Sequence, residues 1–386
     1  MIFISVLLLR TLANFNLFNY SLAVIYPLVF IVVFSISNIT SLVDINLRSV
    51  SKEYFLVFLV IFLVLLSTLL QVVIFDNLTD SSNRTSHGFI FSTSILGICW
   101  LLAGNLFAKK EKFSPVYNVI VIISFFLVVL MLISSIDAGI GVDYYYLTKI
   151  RSDDIRIQHL IVTEPITYML FLFLAIGFNT KFRIFFLLCF LMTFISLGGR
   201  TALYCAVLTL LIYSFITSNI ALFSFRLFLY LITAAIVLYL IGFDDDILFN
   251  RLLFSGSIES DESFQLRQEF LIDFIDGALG QIPIGNPNFL IYRHNSLGTY
   301  SHNILSVFQL YGLLVFLIIL YCFYYIIRHI YTYRLYKSKN VVDIFGVTLL
   351  IFVLLSVVFG KAVVYTPLWF VIGFWLYRLY YYRMKY

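Results

Sequence analysis

Apolar residues run along this chain in solid blocks separated by short polar stretches. Blocks near the roughly 20 residues needed to cross a bilayer fall at about 2–15, 19–37, 54–75, 88–107, 115–136, 163–179, 182–197, 201–217, 221–243, 302–328, 341–359 and 363–382. Strands of a membrane barrel would alternate lipid-facing and lumen-facing residues. Unbroken blocks predict helices instead, because a helix satisfies its backbone hydrogen bonds within the segment. The expectation is an all-α integral membrane protein with about 12 transmembrane helices. The first block, which carries Arg10, and the short seventh are the weakest spans.

Two intervals break the rhythm, one near 137–163 and a longer one at 244–301. They divide the chain into N-terminal transmembrane helices (1–243), a large loop (244–301) and C-terminal transmembrane helices (302–386). Long connections between packed helices are usually functional or disordered. The large loop is not disordered in composition, since it holds Phe254, Phe264, Phe270, Leu271, Phe274, Ile275 and Leu279. Within residues 261–279, Phe264, Leu271, Phe274 and Ala278 recur at helical spacing, with Phe270 and Ile275 alongside. Glu262, Glu269, Asp273 and Asp276 fall mostly on the other side. This predicts an amphipathic helix lying along the membrane surface. Ser260 or Asp261 can cap its start, and Gly277, Gly280, Pro283, Gly285 and Pro287 end it.

Composition makes the membrane assignment firm. Apolar residues are 62% of the 386 and charged residues 12%, with a mean hydropathy of +1.02. Soluble domains run nearer half apolar and a quarter charged, so the excess must face lipid. Placing the N-terminus in the cytoplasm puts 15 basic and 4 acidic residues in the inside segments, against 9 basic and 16 acidic outside, with Arg10 left in a span. That asymmetry follows the positive-inside rule. It predicts an even number of spans, both termini cytoplasmic, and the 244–301 loop on the outer side. The net charge of +5 is thus divided between two membrane faces, and no nucleic-acid partner is expected.

The N-terminal block lacks a small-residue cleavage site and is expected to be a retained helix. Cys99, Cys189, Cys205 and Cys322 lie inside apolar runs without a CxxC, as buried small hydrophobes do. No internal repeat is visible, which weakens a transporter built from duplicated halves.

Candidate chemistry concentrates in the outer loops. Counting 3, 4, 7 and 11 residues on from Arg267 gives Phe270, Leu271, Phe274 and Ala278, so it shares the apolar stripe. One reading is an arginine that snorkels to water or headgroups. The other is a guanidinium aimed into a cavity to hold a phosphate, for which its planar fork is suited. His302 opens the next span, with Ser306 and Gln309 on the same face, so a polar stripe descends into the membrane. Such groups need partners or a cavity. His302 is either an inert interfacial residue or a base and ligand for a hydroxyl or pyrophosphate. Arg200 follows Gly198 and Gly199 in SLGGRT. Arg151 and Arg156 sit beside Asp153 and Asp154, where plain ion pairing is the default. Arg84, Lys149, Arg251, Arg293 and Lys361 are the remaining cations of the outer loops. Asp153–Asp154 and Asp244–Asp246 are ordinary solvated acidic runs before they are metal ligands. No His/Cys ligand spacing, P-loop, GxGxxG or GxSxG occurs, so neither metal nor cofactor is expected.

The order of these features resembles the O-antigen polymerase family (Wzy type), and the related O-antigen ligases. Three features carry the resemblance: the Gly198–Thr201 GGRT turn before a span, the Arg-led segment from Arg267 into the Pro/Gly loop at Gly285, and the His302–Asn303 pair opening a span that carries Gly312. The stretch Gly285–Phe289 reads GNPNF where family members often have GxGxxxF. The resemblance implies a GT-C-like membrane glycosyltransferase of the bacterial inner membrane. Its donor would be a glycan on undecaprenyl pyrophosphate, and its acceptor a second lipid-linked repeat unit. Arg267 and His302 would be catalytic, with Arg200, Arg151, Arg156, Arg251, Arg293 and Asn303 binding pyrophosphate or glycan. Membrane lipid, a chain-length regulator and a flippase would be its partners. The sister ligase, and a flippase or other transporter, are the alternatives. A transporter would spread charge through mid-membrane positions, whereas these spans are nearly uncharged.

Overall fold

The computed structural model describes residues 51–109, 159–176, 200–218, 232, 262–277, 282, 284–297, 303–361 and 365–385. Helices account for nearly all of them, in the order α1 Lys52–Ile74, α2 Ser86–Ala108, α3 His159–Ile176, α4 Arg200–Thr217, α5 Glu262–Gly277, α6 Asn288–His294, α7 Leu305–Thr332, α8 Val341–Phe359 and α9 Thr366–Lys385. No strand forms among the described residues, and Thr79 and Thr85 make an isolated bridge. Four helices, α1, α2, α7 and α8, are long and apolar enough to cross a membrane. The carboxylates on these four are Glu53 and Asp343, both within three residues of a helix start. The expected spans at 2–15, 19–37, 115–136, 182–197 and 221–243 lie outside the described residues, Ile232 apart.

The chain divides into two compact units. One holds Met1–Pro27, Lys112–Ser260 and Tyr336–Phe352; the other holds Leu28–Glu111, Asp261–Leu335 and Val353–Tyr386. In the first, α3 pairs with α4, and Tyr168 and Phe171 meet Phe352 of α8 edge-on, with ring centroids 6.0 and 5.4 Å apart. Ser338 donates to the Asp343 carboxylate at 2.7 Å.

The second unit is built on α1, α2, α7 and α9. Capping side chains start two of them: Ser51 accepts from the Tyr54 N–H, and Thr85 from the Gly88 N–H. The most extensive pairing is α2 with α9, and the two run parallel. Gly97 abuts the Trp369 ring, Gly104 lies against the Phe370 carbonyl, and Gly373 against the Leu101 carbonyl. Small residues allow this backbone approach, which is how helices associate where lipid removes the hydrophobic drive. Aromatic rings fill the seam, with Phe107 near both Phe370 and Phe374. Cys99 and Cys322 of this unit, and Cys205 of the other, are buried and not disulfide-bonded, while Cys189 lies outside the described residues.

At the basic end of this bundle, Tyr325 donates to Glu53 Oε1 at 2.6 Å, and Arg383 lies 3.6 Å from Oε2. Arg378 is 1% exposed and reaches the Ala108 carbonyl at the end of α2, with its guanidinium over Tyr381 and Tyr382. A cation there faces the negative end of the α2 dipole.

The other end contains a broken helix. Gly312 inside α7 has φ 82° and ψ 179°, a conformation essentially confined to glycine. The break removes carbonyls from the α7 ladder, and α1 supplies replacement donors. Gln71 donates to the Leu310 carbonyl at 2.7 Å and also to that of Ile284, while Ser67 is within 2.9 Å of the Tyr311 carbonyl. Buried backbone oxygens need such partners.

Candidate functional site

Four segments of the second unit meet at the loop end: the connection 75–85, residues 284–297, the start of α7, and α5. Asp80 organises the first. It is 4% exposed. Its Oδ1 accepts the N–H groups of Ser82 and Arg84, and its Oδ2 accepts Arg84 Nε and Nη2 and the Leu297 N–H. Asn83, at φ 59°, closes the turn beneath it. Two further bonds tie this connection to the segment after Gly285: Ser81 N–H to the Asn295 carbonyl at 3.1 Å, and Asn288 Nδ2 to the Asp76 carbonyl at 2.7 Å.

Burial alone would raise the Asp80 pKa, but the backbone N–H groups of Arg84, Leu297 and Ser82 and the Arg84 side chain prevail and hold it down to about 2. A folded pKa below the ordinary ~3.9 gives a contribution to stability that is complete above that value and is lost as pH falls toward 2. Asp80→Asn should therefore flatten the acid-induced loss of thermal stability between about pH 4 and pH 2, measured by melting detergent-solubilised protein. An acid profile identical to the parent would refute the role of Asp80.

Gly285 sits where the loop meets the α7 break. It has φ 77°, and a Cβ there would lie 2.6 Å from the Leu310 carbonyl group. The Asn286 N–H donates to the Gln309 carbonyl. Asn303 starts α7: its Oδ1 accepts the Leu305 N–H at 2.9 Å, and its carbonyl accepts the Ser306 hydroxyl at 2.7 Å. The expected polar stripe is present where it is described, since Ser306 and Gln309 are both buried.

Helix α5 corresponds to the amphipathic segment expected at 261–279, with a different burial pattern. Phe274 meets Phe308 of α7 edge-on at 5.5 Å, Gly277 lies under the Phe289 ring, and Phe270 meets His294 at 5.2 Å. Asp273, expected on the polar side, is 5% exposed, because Arg293 Nε and His294 of α6 converge on it. Ile275, expected beside the apolar stripe, is 61% exposed, and Ile272 is 58% exposed. The packed face is thus Phe270–Asp273–Phe274–Gly277, which includes one residue expected on the polar side. That residue is Asp273, which enters the face as an ion-paired carboxylate.

Of the predicted site residues, Arg267 lies on α5, three residues before Phe270, and Arg200 is the first residue of α4 in the other unit. Arg293 and Asn303 are at the loop end just described. Arg293 is held by Asp273, its Nη2 2.8 Å from Oδ1, with 58% of its side chain exposed. Arg151, Arg156, Arg251 and His302 lie outside the described residues. Sequence reasoning missed Asp80 and the Asp273–His294 pair. Asp80 carried one signal, an acidic residue followed by Ser-Ser-Asn, which is turn chemistry.

No family model matches this chain, and no curated protein matches it.

Proposed function

We propose that this protein is a membrane glycosyltransferase that polymerises lipid-linked oligosaccharide repeat units at the outer face of the bacterial inner membrane. The observation that carries the reading is the docking of the loop before His302 onto a broken membrane helix. Gly285 packs on Leu310 and Tyr311 beside the Gly312 break, and Asn303 fixes the turn that follows His302. Gly285, Asn303 and Gly312, which come from two of the three features of the resemblance and are separate in sequence, lie in one assembly. It sits at a helix end, where a substrate with an isoprenoid tail in lipid and a glycan in water has to be met.

The acceptor hydroxyl attacks the anomeric carbon of the donor sugar. A new glycosidic C–O bond forms, and the bond from that carbon to the pyrophosphate oxygen breaks. The electron pair leaves on undecaprenyl pyrophosphate, and the hydroxyl proton passes to His302 or to the departing phosphate. Arg267 and Arg200 hold the growing negative charge, and fixed donors aimed at such charge are usually the largest catalytic term. Arg151, Arg156, Arg251 and Arg293 are further contacts for phosphate or glycan. The leaving group supplies the driving force, so no nucleotide is needed. Twelve helices, cytoplasmic termini and a GT-C arrangement belong to this reading, as do a chain-length regulator and a flippase as partners.

Deleting the gene tests it. Loss of the polymerase is expected to leave a single repeat unit on the lipid core when surface polysaccharide is run on a gel. A bare core would identify the ligase. Reconstituted protein that moves lipid-linked sugar across a bilayer without forming a glycosidic bond would overturn the proposal in favour of a flippase.

A further inference from the structure

Glu269, Asp273 and His294 each offer one ligand atom, and these atoms all lie within 4.8 Å of one another. Glu269 and Asp273 are one helical turn apart on α5, which places both carboxylates on one side of the helix. His294 comes from the last turn of α6. Asp273 is 5% exposed, and its two oxygens differ. Oδ1 is taken by Arg293, with Nε at 2.9 Å and Nη2 at 2.8 Å. Oδ2 is buried and has no hydrogen-bond partner. It lies 3.0 Å from His294 Nε2, close but not aligned for a hydrogen bond. A buried carboxylate oxygen without a hydrogen bond is costly and needs an explanation.

We infer that this triad is a binding site for a divalent cation of the zinc class, joining α5 to α6. Oδ2 and Nε2, 3.0 Å apart, are also near the separation of two ligands on one small ion. Ligand bonds to zinc of roughly 2.0–2.2 Å keep donors within about 4.4 Å of each other. His294 and Asp273 already meet that limit. Glu269 is exposed, and in the proposed site its side chain closes the remaining distance. An imidazole with two carboxylates favours zinc or a neighbouring transition metal over magnesium or calcium, which prefer all-oxygen sites. The surroundings resemble a built site: Arg293 fixes the Asp273 carboxylate through its other oxygen, and the Phe270 ring packs edge-on against the imidazole. Groups of this kind orient metal ligands. Two carboxylates against one guanidinium leave net negative charge for a cation to neutralise when His294 is neutral. Three protein ligands leave a fourth position for water.

The site is independent of the glycosyl-transfer reading, and its test does not use activity. Full-length protein in detergent is incubated with zinc chloride, gel-filtered, and analysed for metal by mass spectrometry, and its affinity is measured by competition with a chromophoric chelator. One zinc per chain is expected, with affinity reduced on the order of 10–100-fold in Glu269→Gln and in His294→Ala. Glu269 is at the surface, so Glu269→Gln leaves the Asp273–Arg293 pair and the fold in place. Failure of the parent protein to retain stoichiometric zinc, or an unchanged affinity in Glu269→Gln, would overturn the site and leave a plain Asp273–His294 ion pair.

Discussion

Gly373→Ala should prevent the second unit from folding. In an exposed helix the same change would be favourable by about 0.5–1 kcal/mol, since glycine has the greater backbone entropy to lose. Here the added methyl would overlap the Leu101 carbonyl oxygen and crowd its carbon at 2.7 Å. Both atoms belong to helix backbone, so neither can swing aside as a side-chain tip would. Relief requires α9 to move away from α2, which opens the aromatic seam of Phe107, Phe370 and Phe374 as well. Overpacking ordinarily costs about 1–3 kcal/mol, and a clash between two rigid backbones lies at or above the top of that range. The propensity gain is too small to offset it. Gly104→Ala meets the Phe370 carbonyl in the same way. The expected outcome is loss of the monodisperse peak when detergent-solubilised protein is run by size exclusion. A normal peak and an unchanged melting temperature in Gly373→Ala would refute this account of the seam.

Arg267→Ala is expected to cut glycosyl transfer on the order of 10²–10³-fold while leaving protein level normal. The size follows from removing one preorganised donor from a leaving pyrophosphate. Arg267→Lys should restore little, because an ammonium cannot give the two parallel hydrogen bonds of a guanidinium. His302→Ala should produce a comparable loss. The assay is the length distribution of surface polysaccharide on a gel, supported by turnover of lipid-linked repeat units in vitro. An unchanged long-chain ladder in Arg267→Ala would remove that residue from the mechanism.

The spans were the most legible part of the chain. Lipid accepts only apolar side chains and self-satisfied backbone, so the block at 341–359 coincides with α8, and those at 54–75 and 88–107 differ from α1 and α2 by one or two residues. The 302–328 block starts three residues early and stops four short. Arg328 looked like an end, yet a long side chain at a membrane boundary can reach water while the helix continues to Thr332. The break at Gly312 was not legible. Its compensation comes from Gln71, 239 residues away, and no local pattern reports that. The burial of Asp273 on α5 was hidden for a related reason. Hydrophobic periodicity ranks Asp273 as a surface residue, and its burial depends on Arg293 and His294 from another helix. The same distance hid the Glu269–Asp273–His294 triad, since spacing rules for metal sites look for ligands in local clusters. Asn303 and Gly285 were noticed by position in a pattern, and the structure gives each a mechanical task in starting or receiving α7.

The parallel pairing of α2 with α9 bears on how the protein is made. The Arg378–Ala108 contact closes a separation of 270 residues. At ordinary translation rates of about 5–20 residues per second, α2 waits on the order of 15–50 s for the helix that completes its glycine groove. During that interval Gly97, Gly104 and Asn105 sit in the bilayer without their lasting neighbour. The close α2–α9 packing is therefore among the last contacts of this unit that synthesis makes possible.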